Sequence, residues 1–376
     1  MKEIKYLAYY APIDDCEQRS SHILAAYNFI NYVCEQIISL GYSITMISAS
    51  RTQSKNKYYG SRVEKVNDRM KIHYLPTFPK GSKVYKLLDI ITLRLSVFFE
   101  LLKCKKDDDV LVYHATSYMT EVKLAHRLKH FRWILYVGEI YGDVDLSERL
   151  KKKEMSYFKK ADGYIFATEF LDKIINQGKK PNVVLYGAYR NEPSRNIVKE
   201  DTKVHCVYAG TFDARKGEAQ QSVLAAQYLP SNYVVHICGF GTDDDTTNIL
   251  NMIKDVNRKE EKVIYEGRLH GEEFIRLLQK CDIGLFTPIA DAKFNESDFP
   301  SKIFSYLTNG LRVVSARVVP VEKSMIGRYM VYYDGNNPKD IAGAIQSIDF
   351  SKDYDSRTIV TDVEERFRKE FNDILK

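Results

Sequence analysis

The chain has 376 residues, of which 44% are hydrophobic and 28% charged, and a net charge of +6. That length exceeds one ordinary core and the composition is globular, so two domains are expected. Residues 1–200 hold 33 Lys and Arg against 23 Asp and Glu, whereas residues 201–376 hold 23 against 27. A basic first half suits an anionic partner such as a membrane surface, with ordinary solvated lysine as the plainer reading. The lysine runs lack aromatic interleaving, so nucleic acid is not expected as a partner.

IKYLAYYA (4–11) reads as a strand, and the N-terminus enters it directly, so no secretory leader is expected. HILAAYNFINYVCEQIISLG (22–41) reads as a helix stopped at Gly41, followed by the strand SITMISAS (43–50). Lys83 to Lys106 is apolar but interrupted by Asp89 and Arg94, too short an uncharged run to span a bilayer. Within it Leu87, Ile91, Leu95, Phe98 and Leu102 recur at helical spacing. They predict one buried stripe, with a core helix favoured over a membrane-surface helix. VLVYH (110–114), WILYVG (133–138), GYIFA (163–167) and NVVLYG (182–187) continue the strands, with helices between them. The order is βαβα, which implies a mostly parallel sheet.

RNEPSRNIVKEDTK (190–203) reads as a linker. A second strand series follows: VHCVYAG (204–210), YVVHICG (233–239), KVIYEG (262–267), DIGLF (282–286), LRVVSA (311–316) and MVYYD (330–334). GEEFIRLLQKC (271–281) is a helix, and TDVEERFRKEFNDILK (361–376) is a charged amphipathic helix. The expected domains are 1–195 and 196–360, each doubly wound, with 361–376 a terminal helix whose candidate docking surface is the first domain. Such sheets bind ligands beyond the carboxyl ends of their strands, and two facing domains would enclose one ligand in a cleft. Cys16, Cys34, Cys104, Cys206, Cys238 and Cys281 show no metal-type spacing, so reduced thiols in a cytoplasm fit.

VYAGTFDARKGE, HICGFGTDDD, VIYEGRLHGEEFIRLLQKCDIGLFTP and FPSKIFSYLTNGLRVVSA occur in this order in the second half. That succession resembles retaining GT-B glycosyltransferases of the family-four type, also called glycosyl transferases group 1. In the first half the likeness rests on strand order, ADGYIFATEFLDK and VVLYGAYR. The resemblance implies an α/β fold of two Rossmann-like domains facing across a cleft. It implies transfer of a sugar from a nucleoside-diphosphate donor, of UDP or GDP type, to a glycan or lipid-linked acceptor. Cell-surface polysaccharide or glycoconjugate synthesis would be the setting, in the cytoplasm or at the inner membrane face.

For the donor site the resemblance points to Gly210, Thr211, Arg215 and Lys216. Thr211 stands where the family has an Arg, for which Arg215 is the candidate substitute. Gly239 and Gly241 match the glycine turn, and Arg268 the loop that touches the base. Glu296, Ser297, Pro300, Ser301, Lys302 and Ser305 cover the segment where the family carries two Glu eight positions apart; here Ser297 and Ser305 occupy those places. Ser301 and Lys302, at the start of a helix, offer a hydroxyl, a charge and free N–H groups to a phosphate. His114 and Glu139, with Lys216, are the catalytic candidates, because His114 and Glu139 end strands and Lys216 meets the departing charge. Asp15, Arg19, Ser20 and Ser21 are candidates to line a cleft. Asp107–Asp109 and Asp243–Asp245 read as solvated or helix-start acids, and no metal or other cofactor is expected. A catalytically weak partner subunit of an active transferase is the alternative, motivated by the missing acids.

Overall fold

A computed structural model describes residues 2–12, 24–113, 118–144, 147–289 and 299–375. The chain forms two compact units, Met1–Ala188 with Arg366–Lys376, and Tyr189–Glu365.

The first unit contains strands β1 (Glu3–Ala8), β2 (Ser43–Ser48), β3 (Arg62–Asn67), β4 (Met70–Tyr74), β5 (Asp109–Tyr113), β6 (Arg132–Val137), β7 (Gly163–Phe166) and β8 (Asn182–Val184). Their order is β3-β4-β2-β1-β5-β6-β7-β8. All neighbours pair in parallel except β3 and β4. The central strands are apolar on both faces because helices cover each side. The β3–β4 hairpin escaped the sequence reading. β3 has no buried residue and so shows no alternation, and its turn is marked only by the Asn67 side chain accepting from the Arg69 N–H at 2.8 Å.

The helix Lys83–Leu102 corrects one expectation. Its buried side is Asp89, Leu93, Val97 and Leu101, while Leu87, Ile91 and Leu95 are 58%, 46% and 51% exposed. The segment carries two apolar stripes on opposite sides, and periodicity does not say which one meets the sheet. The helix Arg357–Leu375 begins before position 361. Its end packs within the first unit: Phe367 lies 6.3 Å from the Tyr32 ring, Arg368 donates to Gln36, and Lys2 donates to the Leu375 carbonyl at 3.0 Å.

The second unit contains β9 (Val204–Phe212), β10 (Tyr233–Gly241), β11 (Val263–Gly267), β12 (Ile283–Phe286), β13 (Arg312–Ala316) and β14 (Val331–Tyr333). Their order is β11-β10-β9-β12-β13-β14, all parallel. Connectivity reverses between β9 and β12, the place where doubly wound sheets open a crevice. The two strands pair only at Ile283 with Cys206 and Gly284 with Val207. Beyond that point the Tyr306 hydroxyl, on the helix Ser301–Leu307, bridges them. It accepts from the Ala209 N–H at 3.0 Å and donates to the Leu285 carbonyl at 3.1 Å. The ring lies where a Cβ on Gly284 would stand, which explains a glycine inside a buried strand.

Removing that hydroxyl leaves a buried N–H and a buried carbonyl without their bridge. Tyr306→Phe should therefore destabilise the second unit by about 1–3 kcal/mol, read as a lower urea midpoint. An unchanged midpoint would show that the strands do not need the bridge.

Candidate functional site

A cavity of about 560 Å³ opens at the carboxyl ends of β9, β10 and β12 in the second unit. Gly210 and Thr211 from β9, Gly239 and Phe240 from β10, and Phe286 from β12 contribute to its wall. Close approach requires the glycine at 239 and crowds any side chain at 210. A Cβ on Gly239 would fall on the Gly210 carbonyl, and one on Gly210 would stand 3.0 Å from Lys302 Nζ and 2.9 Å from Tyr208 Oη. Bare backbone thus forms part of the lining.

Three cations reach this space. Lys216 comes from the loop after β9, which Asp213 shapes by accepting the Lys216 N–H on its carbonyl at 3.0 Å. Lys302 comes from the first turn of the helix Ser301–Leu307, and Arg268 from the loop after β11. The Arg268 guanidinium lies 4.1 Å over the Phe240 ring, a cation–π contact that aligns it at the rim.

Lys302 is the most constrained of the three. Its ammonium pairs with the Glu218 carboxylate and lies 4.5 Å over the Tyr208 ring. Glu218 is 6% exposed, in the first turn of the helix Glu218–Ala225. Burial, together with the nearby Lys216 charge, holds the Lys302 pKa below the ordinary lysine value against the pull of Glu218. Sequence reasoning missed Glu218, because an acid just after a glycine at a helix start has an ordinary dipole explanation. It also missed the apolar walls Leu269, Phe274, Phe299 and Val318.

Of the sequence-predicted donor residues, Gly210, Thr211, Lys216, Gly239, Arg268, Pro300, Ser301, Lys302 and Ser305 line the cavity together. Arg215 and Gly241 are not part of this lining. The Arg215 side chain is 80% exposed and held by Asp213 at 2.8 Å, so the structure does not place it as a substitute for the Arg missing at Thr211. Gly241 pairs with Phe212 at the end of the β9–β10 ladder. His114, Glu296 and Ser297 lie outside the described residues, as do Asp15, Arg19, Ser20 and Ser21. Glu139 follows β6 in the first unit; burial, then its carboxylate, push the nearby Tyr141 hydroxyl up to about 12.

Most of the two Asp runs has a structural role. Asp243–Asp245 form the first turn of the helix Asp243–Val256, where the Thr242 side chain accepts the Asp245 N–H. Asp108 pairs with Lys5, and Asp109 with Lys2 and Arg132. Among the described residues no group of three His, Cys, Asp or Glu is placed to hold a metal ion.

No protein-family profile matches the chain, and no curated protein matches it in sequence. Solved structures do match in shape. An E. coli structure described as trehalose-6-phosphate bound with UDP-2-fluoro glucose has a TM-score of 0.68 at 9% identity, covering 100% of this chain and 99% of its own. An α,α-trehalose-phosphate synthase (UDP-forming) of Burkholderia xenovorans, in complex with glucose-6-phosphate, gives 0.63 at 11%, covering 100% and 98%. HepE of Anabaena in complex with UDP gives 0.63 at 12%, covering 100% and 97%.

The fold is GT-B. Both parallel-sheet domains of GT-B are present, and the likeness runs the length of the chain.

Breaking the buried pair in the second GT-B domain should be costly. Lys302→Met strands Glu218 and is expected to destabilise by about 3 kcal/mol. Adding Glu218→Gln should restore much of that loss, measured by urea denaturation. Equal midpoints for the single and double variants would show the two side chains to be uncoupled.

Proposed function

We propose that the protein is a glycosyltransferase that moves a sugar from a nucleoside-diphosphate donor, of UDP type, to a hydroxyl of a glycan or lipid-linked acceptor. Cell-surface polysaccharide or glycoconjugate synthesis is the setting we infer. The observation that carries this reading is the convergence of Lys216, Lys302 and Arg268 on a glycine-lined cavity at the switch point of the second sheet. A diphosphate needs cationic and N–H partners and close backbone approach, and this cavity offers them. Its volume falls within the roughly 300–1,000 Å³ usual for small-molecule sites. The neighbours' UDP and UDP-2-fluoro glucose complexes support the choice of nucleotide.

In the reaction the bond between the anomeric carbon and the diphosphate oxygen breaks, and a bond to the acceptor oxygen forms. The acceptor's proton passes to the departing diphosphate, so the protein need not supply a nucleophile. Same-face transfer of this kind retains the anomeric configuration, as the family resemblance implies. Lys216 and Lys302 would neutralise the charge that grows on the leaving group. Arg268 and Phe240 would flank the base, and Ser305 would offer its hydroxyl to the ribose, more weakly than a carboxylate. Glu139 and His114 are proposed for the acceptor side. We assign diphosphate neutralisation to side chains rather than a metal because the cavity brings cations to the ligand, while Asp108 and Asp109 are held in ion pairs and Asp243–Asp245 open a helix.

A catalytically weak partner subunit is the second reading, favoured by Ser305 standing in the cavity wall where the family carries an acid. UDP binding without donor hydrolysis or transfer, across many acceptors, would select it.

UDP at a hundredfold its dissociation constant should stabilise the protein by about 2.7 kcal/mol. Lys216→Ala should weaken UDP by roughly tenfold to a hundredfold, the worth of one charge-assisted hydrogen bond, and depress turnover at least as much. The checks are a thermal shift titration and release of UDP from UDP-sugars. Full activity in Lys216→Ala would remove the diphosphate assignment.

A further inference from the structure

The helix Lys83–Leu102 spends apolar residues on two sides. One side enters the core of the first unit through Leu93, Val97 and Leu101, all 0% exposed. On the other, Val84, Leu87, Leu88, Ile91, Leu95 and Phe99 are between 38% and 66% exposed. At 100° per residue, Val84, Leu88, Ile91 and Leu95 lie within one narrow sector opposite Leu93. Isolated exposed hydrophobes need no explanation, but a continuous stripe over four turns does. The adjoining helix Met119–Lys129 adds Leu124 and Leu128, 46% and 57% exposed.

Charge surrounds this stripe in a definite pattern. Residues 80–109 carry seven Lys and Arg against five acids. Four of the acids are held by other groups: Asp89 is buried and accepts from Thr77 at 2.8 Å, Glu100 pairs with Lys103, Asp108 with Lys5, and Asp109 with Lys2 and Arg132, while Asp107 is exposed. Exposed Lys80, Lys83 and Lys86 therefore make the start of the stripe strongly positive, and Lys105 and Lys106 outweigh Asp107 at its end.

We propose that this face docks on an anionic lipid bilayer, with the helix lying in the plane of the interface. Its apolar stripe would enter the headgroup boundary while the terminal lysines meet lipid phosphates. The charge pattern decides between occupants. The strongly positive first turns repel the same turns of a second copy in parallel register, neither end offers a negative patch to the other in antiparallel register, and both ends attract a negative surface. The bilayer would receive only one side of the helix, so no described helix need cross it, and none is long and apolar enough to do so. The inference does not depend on the transfer reading, since its readout is lipid association.

The test is flotation of the whole protein with vesicles of phosphatidylcholine alone and of phosphatidylcholine mixed with phosphatidylglycerol. The protein should float with the anionic vesicles and much less with the neutral ones, and added salt should weaken the association. Leu88→Ser, Ile91→Ser and Leu95→Ser together should reduce anionic-vesicle binding by about tenfold or more, with the melting temperature nearly kept. Lys83→Glu, Lys86→Glu and Lys106→Glu together should give a similar loss and abolish the salt dependence. Failure of the wild type to float, or flotation of both variants like wild type, would overturn the proposal. So would a vesicle-free dimer that the serine variant dissociates, which would assign the stripe to a second copy.

Discussion

The hydroxyl of Tyr306 stands where two parallel strands must part without leaving their polar groups bare. β9 and β12 pair at only two positions, and past these the ladder has nothing to bond. One side-chain oxygen takes over, accepting from Ala209 and donating to Leu285. Three features depend on that substitution. The crevice can open at the switch point, Gly284 must remain without a side chain to admit the ring, and the helix that carries Tyr306 is fixed with Lys302 at its other end. A single hydrogen-bonding requirement thereby links the sheet to the placement of a cation.

The electrostatics of the cavity follow from how unequally its cations are held. Lys216 and Arg268 sit on exposed loops, whereas Lys302 is sunk beside Glu218 and over the Tyr208 ring. A buried pair of this kind contributes little net stability but fixes geometry. An anion entering the cavity thus meets one preset charge and two that can adjust to it. This division suits a ligand whose charge increases during reaction, because the fixed group needs no reorganisation when the bond breaks.

Much of this architecture is legible in the chain. Apart from the β3–β4 pair both sheets are parallel, and their central strands are buried on both faces, so these appear as unbroken β-rich runs such as VHCVYAG and YVVHICG. Strand ends, taken with the family resemblance, then locate Gly210, Gly239 and Lys216, and a helix start locates Lys302. What failed to show itself did so for identifiable reasons. β3 is solvent-facing on nearly every residue and offers no alternation. Arg215 has an acid two positions away that captures it, a local contact no motif reports. Glu218 looks like an ordinary first-turn acid until the fold brings Lys302 to it across more than eighty residues. The helix Lys83–Leu102 has a legible period but an ambiguous phase, since either of its apolar sides could have faced inward.

The first unit is sewn together from distant parts of the polypeptide. Its N-terminal strand and first helix receive contacts from Phe367, Arg368 and Leu375, residues that follow the entire second unit. During translation the opening sheet emerges early, but the helix that covers this flank is made only after the second unit has been synthesised. Domains generally fold in order of synthesis; here the first to be started is the last to be finished.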